Sequence, residues 1–459
     1  MTRLTSMALA AAVLCGCAGP TPQPPEAPPP AAWSLAGGDV APDWSGLLDP
    51  RLAALQARAL EANRDIRLAA QRWQQARITA AQAALRWTPS ANLSTNASRP
   101  IETQSSTRNI DVGGVTVPIT TSTGITRSYG ANIGVGYELD LWNRLAQAHA
   151  VQLANAEAAR TDIEAARLSI RSQVAEAYWT LAALQAQRPL ADTQLALTRE
   201  TLALTRERVR EGKLLPVELD KIAVTVQAAE NRLADLTADT LLQRQRLALL
   251  LGEPLPGPAP EAMLPAGEPP RWHLAEPADV LARRPDVQRA RLGVDAALAR
   301  LRVSEADRYP RLTFSGGIST GGTRMSDWLA QPLASLGANL VVPMIDWQRL
   351  ALQRDSARSE LDGAALSLRD TLDKALADIE TQYIEADRLG QQLQANAGRL
   401  REATQNERLA ALRYDTGVIA RADWLQARSA LLDAEQTRIQ LRLQQWLRQA
   451  QLFKALGGA

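Results

Sequence analysis

Residues Ser128-Tyr129-Gly130-Ala131-Asn132-Ile133-Gly134-Val135-Gly136-Tyr137-Glu138-Leu139-Asp140 alternate without a fault. The odd positions from 129 to 139 read Tyr, Ala, Ile, Val, Tyr, Leu, and the even positions are Ser, Gly, Asn, Gly, Gly, Glu, Asp. A period of two sends the two sets to opposite faces of a strand. The run is long enough to cross a bilayer, and small or polar residues opposite an apolar face describe the wall of a membrane barrel. A soluble antiparallel sheet with one wet face is the alternative. Residues 333–345 repeat the pattern, with Leu336, Ala338, Leu340, Val342 and Met344 against Ser335, Gly337 and Asn339. Strands over 90–98 and 311–319 alternate more weakly, through Leu93 and through Leu312, Phe314 and Ile318.

Outward from these strands the chain proves to be duplicated. Leu60-Glu61-Ala62-Asn63-Arg64-Asp65-Ile66 aligns with Leu281-Ala282-Arg283-Arg284-Pro285-Asp286-Val287 at an offset of 221, which persists to Pro89 over Pro310. Trp142-Asn143-Arg144-Leu145 aligns with Trp347-Gln348-Arg349-Leu350 at an offset of 205, and this register holds through Gly212 over Gly417 to Gly252 over Gly457. The halves therefore differ by 16 residues, all between positions 89 and 142. Each half reads helix, hairpin, long helix, returning helix. Residues 50–252 form the first repeat with its hairpin over 89–140, residues 253–277 an equatorial linker, and residues 278–457 the second repeat with its hairpin over 310–345.

Residues 145–210 and 350–413 stay helical in pattern, which at 1.5 Å per residue makes each helix about 100 Å long. With the returning helices 217–251 and 422–456, such lengths suit coiled-coil packing better than a globular core. Pro189 lies inside the first long helix and predicts a local kink. Trp87, Trp142, Tyr309 and Trp347 each stand at a helix–strand junction, where an aromatic girdle at the membrane interface belongs; packing under a soluble sheet is the other reading.

Composition narrows the function classes. Of 459 residues, two are Phe and six Tyr, and 51 basic side chains nearly cancel 49 acidic ones. Long helices fit this mixture, and nucleic acid does not fit as a partner. Arg3, the apolar stretch Met7 to Leu14 and Leu14-Cys15-Gly16-Cys17 look like a lipoprotein signal. Residues 1–16 are expected to be a signal peptide, Cys17 the lipidated residue, and residues 17–49 a tether, Pro-rich from Pro20 to Pro30. Cys15 and Cys17 are the only cysteines, which leaves the mature chain without a Cys metal site. His149 and His273 show no metal spacing, no nucleophile–base set stands out, and the chain reads as no enzyme. No cofactor is expected beyond the covalent lipid.

Two hairpins give four strands per chain, too few to close a barrel, and an open edge cannot face lipid. Several copies must share one barrel. The duplicated plan, the lipobox, Arg413-Tyr414-Asp415-Thr416-Gly417-Val418 and Leu425-Gln426-Ala427-Arg428 together resemble the TolC/OprM outer-membrane efflux proteins. The resemblance covers about Trp44 to Gly457. It implies an α+β membrane protein: antiparallel helical hairpins forming a periplasmic α-barrel, and four membrane strands per protomer in a shared 12-stranded trimeric β-barrel. It further implies a homotrimer in the outer membrane, with outer-membrane lipids around it. The implied protein partners are a periplasmic adaptor and an inner-membrane RND-type pump.

By the same resemblance the periplasmic gate includes Asp423, with Gln426 where some members carry a second acid. Glu218 and Tyr414 stand where members make an acid–tyrosine contact between neighbouring helices. An arginine sometimes involved there is replaced by Ile419, which leaves Arg421 a possible substitute. Ordinary solvated helix ends are the alternative. Gly212 and Gly417 suit left-handed C′ positions ending the long helices, and the adaptor is expected to contact these tips. The function implied is passive conduction of drugs or other small molecules. An exit duct for secreted polypeptides (type I secretion) and a pore-free structural periplasmic lipoprotein remain the competing readings.

Overall fold

A computed structural model describes residues 33–34, 49–99, 105–122, 127–257, 260–269 and 271–458. The expected signal peptide, Cys17 and most of the tether lie outside them. Described residues divide into two compact units, one holding Gln75–Ala156 and Gly293–Ala365, the other Glu157–Leu292, Leu366–Ala459 and the described residues before Gln75.

The first unit is built on a four-stranded antiparallel sheet. Its strands are β1 (Ser90–Ser98), β4 (Ser128–Leu139), β5 (Arg311–Gly322) and β6 (Leu333–Val341), in the spatial order β1-β4-β5-β6. Registers place Leu93 opposite Ile133 and Ile133 opposite Ile318. Tyr137 faces Phe314, and Leu312 faces both Leu139 and Leu340. All of these sit on one face, which runs apolar across four strands, while Asn92, Asn132, Ser315 and Gly337 share the other. The strand expected over 333–345 stops at Val341. There its partner β5 has run out at Arg311, and Pro343 has no N–H to give a ladder.

Between β1 and β4 the sequence reading expects only a loop, but the chain inserts a second hairpin. Strands β2 (Ser105–Val112) and β3 (Val115–Ser122) pair with each other across Gly113 and Gly114. Both glycines have positive φ, 69° and 87°, as a tight two-residue hairpin turn demands.

Helices α1 (Pro50–Ala62), α2 (Arg64–Ala84), α3 (Arg144–Arg210) and α4 (Pro216–Leu250) belong to the first repeat. Helices α5 (Pro277–Arg283), α6 (Pro285–Ala306), α7 (Trp347–Asp415) and α8 (Arg421–Ala455) belong to the second. The helix α3 is continuous through Pro189, which is exposed. Among the described residues no helix is long and apolar enough to cross a membrane.

The duplication is visible bond by bond in the second unit. Asn63, at the α1–α2 break, donates its side-chain amide to the Leu250 carbonyl at 2.9 Å. Arg284, its repeat mate at the α5–α6 break, donates to the Ala455 carbonyl at 2.9 Å. Gly252 and Gly457 close the returning helices with φ of 75° and 83°, each pressed against the preceding repeat element. A Cβ on Gly252 would lie 2.6 Å from the Ala62 carbonyl oxygen, and one on Gly457 would lie 3.2 Å from the Arg283 carbonyl carbon.

The core of this unit gathers Trp179, Trp272, Trp446 and Phe453, with Trp179 and Trp446 centroids 5.4 Å apart. Polar contacts tie the connecting segments to it. Trp33 donates its indole N–H to the Ala275 carbonyl at 2.7 Å, and the Ser34 hydroxyl donates to Glu380 at 2.5 Å. Tyr178, fully buried, donates to Asp49 at 2.7 Å, and Tyr383 donates to the Trp272 carbonyl. Burial of both phenols pushes their pKa values up to about 12, with the negative Asp49 adding to the effect at Tyr178.

A phenol whose folded pKa is raised keeps its full contribution below the unfolded pKa of about 10 and loses it as pH climbs towards 12. Thermal unfolding should therefore fall in temperature between pH about 10 and about 12. Tyr178→Phe and Tyr383→Phe variants should each flatten that slope; an unchanged slope in both would contradict the assignment.

Candidate functional site: the helical turns and the strand junctions

The two turns that end the long helices are built alike. Gly212 and Gly417 adopt φ of 73° and 75°, and neither would meet an atom within 4 Å if given a Cβ. Lys213 N donates to Arg208 O at 2.8 Å, and Val418 N donates to Arg413 O at 2.8 Å, which closes both helices with the same reverse turn. The left-handed backbone, rather than close packing, is what calls for glycine at these tips.

Chemically the turns differ. At the second, Arg421 opens α8 and donates to Glu200 of α3, while its guanidinium also reaches the Tyr414 hydroxyl at 3.4 Å. Tyr414 stacks on Trp424, with centroids 5.7 Å apart and planes 8° from parallel. Trp424 in turn donates its indole N–H to Glu407 at 3.2 Å. Three helices (α3, α7 and α8) are thus tied by one polar and aromatic cluster.

Glu218 and Tyr414 do not meet within the chain. Glu218 accepts from Lys221 at 2.7 Å, one turn along its own helix, a pairing that helical spacing favours. Tyr414 has Arg421 and Trp424 instead. Glu200, Glu407 and Trp424 escaped the sequence reading, although a signal was there. At the equivalent positions of the first repeat, Tyr414, Arg421 and Trp424 are replaced by Val209, Pro216 and Leu219. That divergence between copies marks the second turn as specialised.

Asp423 is exposed in the first turn of α8, where its carboxylate accepts from the Ala420 backbone N–H at 3.2 Å. It therefore caps the helix, whatever else it does. With Gln426, Glu402, Asn406 and Asp433 it lines an open groove of about 630 Å³ along α7 and α8.

At the junctions of the sheet, Trp142 stacks on Tyr309 with centroids 4.7 Å apart and donates to the Pro310 carbonyl at 2.8 Å. Trp87 packs edge-on against His149 at 5.2 Å. Trp347 is 67 % exposed. Arg144 pairs with Glu138 at 2.7 Å beside the Trp142 stack. The four junction aromatics thus form two contacts and one free indole. Among the described residues no cluster of His, Cys, Asp or Glu could hold a metal ion.

Comparison with known proteins agrees with this architecture. The family model for outer membrane efflux proteins matches residues 55–253 and 277–458, one match per repeat. The pyoverdine export outer membrane protein OpmQ of Pseudomonas aeruginosa is 29 % identical, with 98 % of this chain and 96 % of that protein aligned. The toluene efflux pump outer membrane protein TtgC of Pseudomonas putida is 27 % identical over 99 % of this chain and 95 % of its own length. Among solved structures, the open state of the Neisseria gonorrhoeae MtrE outer membrane channel superposes with a TM-score of 0.77 at 21 % identity, covering 95 % of this chain and 98 % of that one. These likenesses are to channels, not to enzymes, and the repeat-by-repeat match settles the identity: the chain belongs to the outer membrane efflux protein family.

Proposed function

We propose that three copies of this outer-membrane efflux channel protein close a single barrel and conduct small molecules passively to the exterior. One observation carries the reading: an apolar face extends across all four strands of a sheet whose outer edges, on β1 and β6, lack partners among the described residues. Unpaired backbone in lipid costs several kcal/mol per group, so such a sheet must be closed by others of its kind. Three copies bring it to twelve strands, within the range of membrane barrels. Lipid on Cys17 would anchor each copy, and a periplasmic adaptor would dock on the turns around Gly212 and Gly417. Energy would come from an inner-membrane pump of the RND type.

The relatives' names speak of pyoverdine export and toluene efflux, which supports a conduit that leaves substrate choice to its pump. They also favour small-molecule efflux over polypeptide secretion. The turns built on Arg421 and Asp423 would form the closed end.

Single-channel recording of the purified, lipidated protein in a planar bilayer, paired with amine crosslinking, tests the reading. Discrete conductance steps from a crosslinked trimer are expected. A monomer that never conducts, even with Asp423 and Arg421 replaced, would overturn it in favour of a structural lipoprotein.

A further inference from the structure

One step past Ser98↔Ser128, the last β1–β4 pair, the register sets Arg99 against Arg127. Two steps past Tyr129↔Gly322, the last β4–β5 pair, it sets Arg127 level with Arg324. The Arg324 backbone is still extended there, with φ of −120°. One end of the sheet thus carries a row of three exposed arginines, on neighbouring strands about 5 Å apart.

Parity puts the row on the apolar face. Arg99 and Arg127 keep the side of Leu93 and Ile133, and Arg324 keeps that of Ile318. Below the row on this face come Tyr129, Ile133 and Ile318, the two isoleucines 51 and 53 % exposed. The outward positions from Tyr129 to Leu139 cover about 33 Å of strand, or about 25 Å of membrane at the usual barrel tilt. Arg127 stands one outward position above that band, where lipid headgroups begin. The helices join the sheet at its other end, beside Ser90, Leu139, Arg311 and Val341. In an outer-membrane barrel with periplasmic helices, the arginine row therefore meets the outer leaflet.

The helix end of the sheet supplies its arginines with acids. Arg144 pairs with Glu138 at 2.7 Å, Arg311 with Asp307 at 3.1 Å and Arg349 with Asp346 at 2.9 Å. At the outer end no acid among the described residues pairs with Arg99, Arg127 or Arg324. Asp327, close to Arg324 in sequence, accepts from the Ser326 hydroxyl at 2.8 Å instead. Like charges opposite one another weaken a strand pair. A row of cations without counter-charge, above an apolar face, calls for an anion that carries hydrocarbon.

We infer that Arg99, Arg127 and Arg324 bind the phosphate groups of a phosphorylated glycolipid in the outer leaflet, its acyl chains lying on the face below. Guanidinium forks match phosphate oxygens two at a time. A row about 10 Å long suits a headgroup with two separated phosphates better than a single phosphodiester. Tyr129, the outward residue next to Arg127, places an amphipathic ring at the same boundary.

This inference rests on the outer-membrane barrel proposed above, and the test keeps the two apart. Full-length protein in mild detergent would be incubated with diphosphorylated lipid A, with its dephosphorylated form or with phosphatidylglycerol, and bound lipid counted by native mass spectrometry. The wild type should retain the diphosphorylated lipid about tenfold better than either other lipid. Replacing all three arginines (Arg99→Gln, Arg127→Gln, Arg324→Gln) should abolish that preference, and the corresponding lysine changes should keep part of it. If the triple glutamine variant does not assemble, Arg127→Gln alone, at the centre of the row, carries the comparison. Equal retention by wild type and glutamine variant, both crosslinking as trimers, would overturn the site and leave the barrel standing. Phosphatidylglycerol held as well as lipid A would overturn the glycolipid assignment. A wild type that stays monomeric and fractionates away from the outer membrane would overturn the barrel, and the site with it.

Discussion

Gly252→Ala is expected to destabilise the protein by about 3 kcal/mol or more, enough to prevent accumulation of folded chain in the outer membrane. Two costs combine. The residue holds φ at 75°, a left-handed conformation that costs an L-residue about 1 kcal/mol. Its new Cβ would also lie 2.6 Å from the Ala62 carbonyl oxygen, a backbone atom at the end of α1 that cannot swing aside. Beside this contact Asn63 bonds to the Leu250 carbonyl, so a shift of the strained pair would break a buried hydrogen bond as well. The repeat supplies internal controls. Gly457→Ala meets Arg283 at a looser 3.2 Å and should cost less; Gly212→Ala and Gly417→Ala meet nothing and should cost only the backbone strain of about 1 kcal/mol. Thermal unfolding of the four purified variants measures the order directly. Equal losses at Gly252 and Gly212 would mean that backbone conformation alone, and not close approach, selects glycine at the returning helices.

In the proposed trimer, where three copies would act on one gate, Arg421→Ala should raise the open probability of the closed channel roughly tenfold. An exposed ion pair is individually weak. Here, however, one guanidinium joins Glu200 on α3 to Tyr414 on α7 from the first turn of α8, so its loss removes a tie of α3 to the α7–α8 pair, which Tyr414, Trp424 and Glu407 still hold together. Glu200→Gln should act in the same direction, and the double variant should add little to either single change, as expected for partners in one contact. Asp423 needs a finer experiment because its carboxylate also caps α8. Asp423→Ala removes charge and cap together, whereas Asp423→Asn keeps a capping oxygen and removes only the charge. If conductance rises equally in both, charge repulsion and cation attraction at the axis govern the gate. A rise in Asp423→Ala alone would assign the effect to an unravelled helix end. No rise in any of these variants would remove the second turn from the gate.

The sheet and the repeats were legible because both are written in short-range patterns. Period-two alternation from Tyr129 to Leu139 fixes a face without reference to any partner, and the offset between the halves carries that face from strand to strand. Helix-closing glycines at 212 and 417 were legible for a similar reason, since the left-handed turn is a local demand. What stayed hidden depended on long-range encounters. Glu200 and Arg421 are 221 residues apart, and nothing near either one announces the other. Glu218 drew attention by position, yet its nearer lysine at 221 satisfies it first. The β2–β3 hairpin was missed although Gly113-Gly114 between two runs rich in β-branched residues is a local turn signal. It sat in the stretch where the halves disagree, and a length difference reads naturally as loop.

That hairpin has a consequence for how such a protein can change over generations. The 16 residues by which the halves differ enter where β1 hands over to β4, so they leave every strand pair of the sheet untouched. Length can be gained or shed there in odd or even steps without turning an apolar side chain towards water. The segment can therefore diverge in length and sequence while the four-stranded sheet keeps its register. The same latitude makes the Gly113-Gly114 turn the natural place to graft an epitope tag.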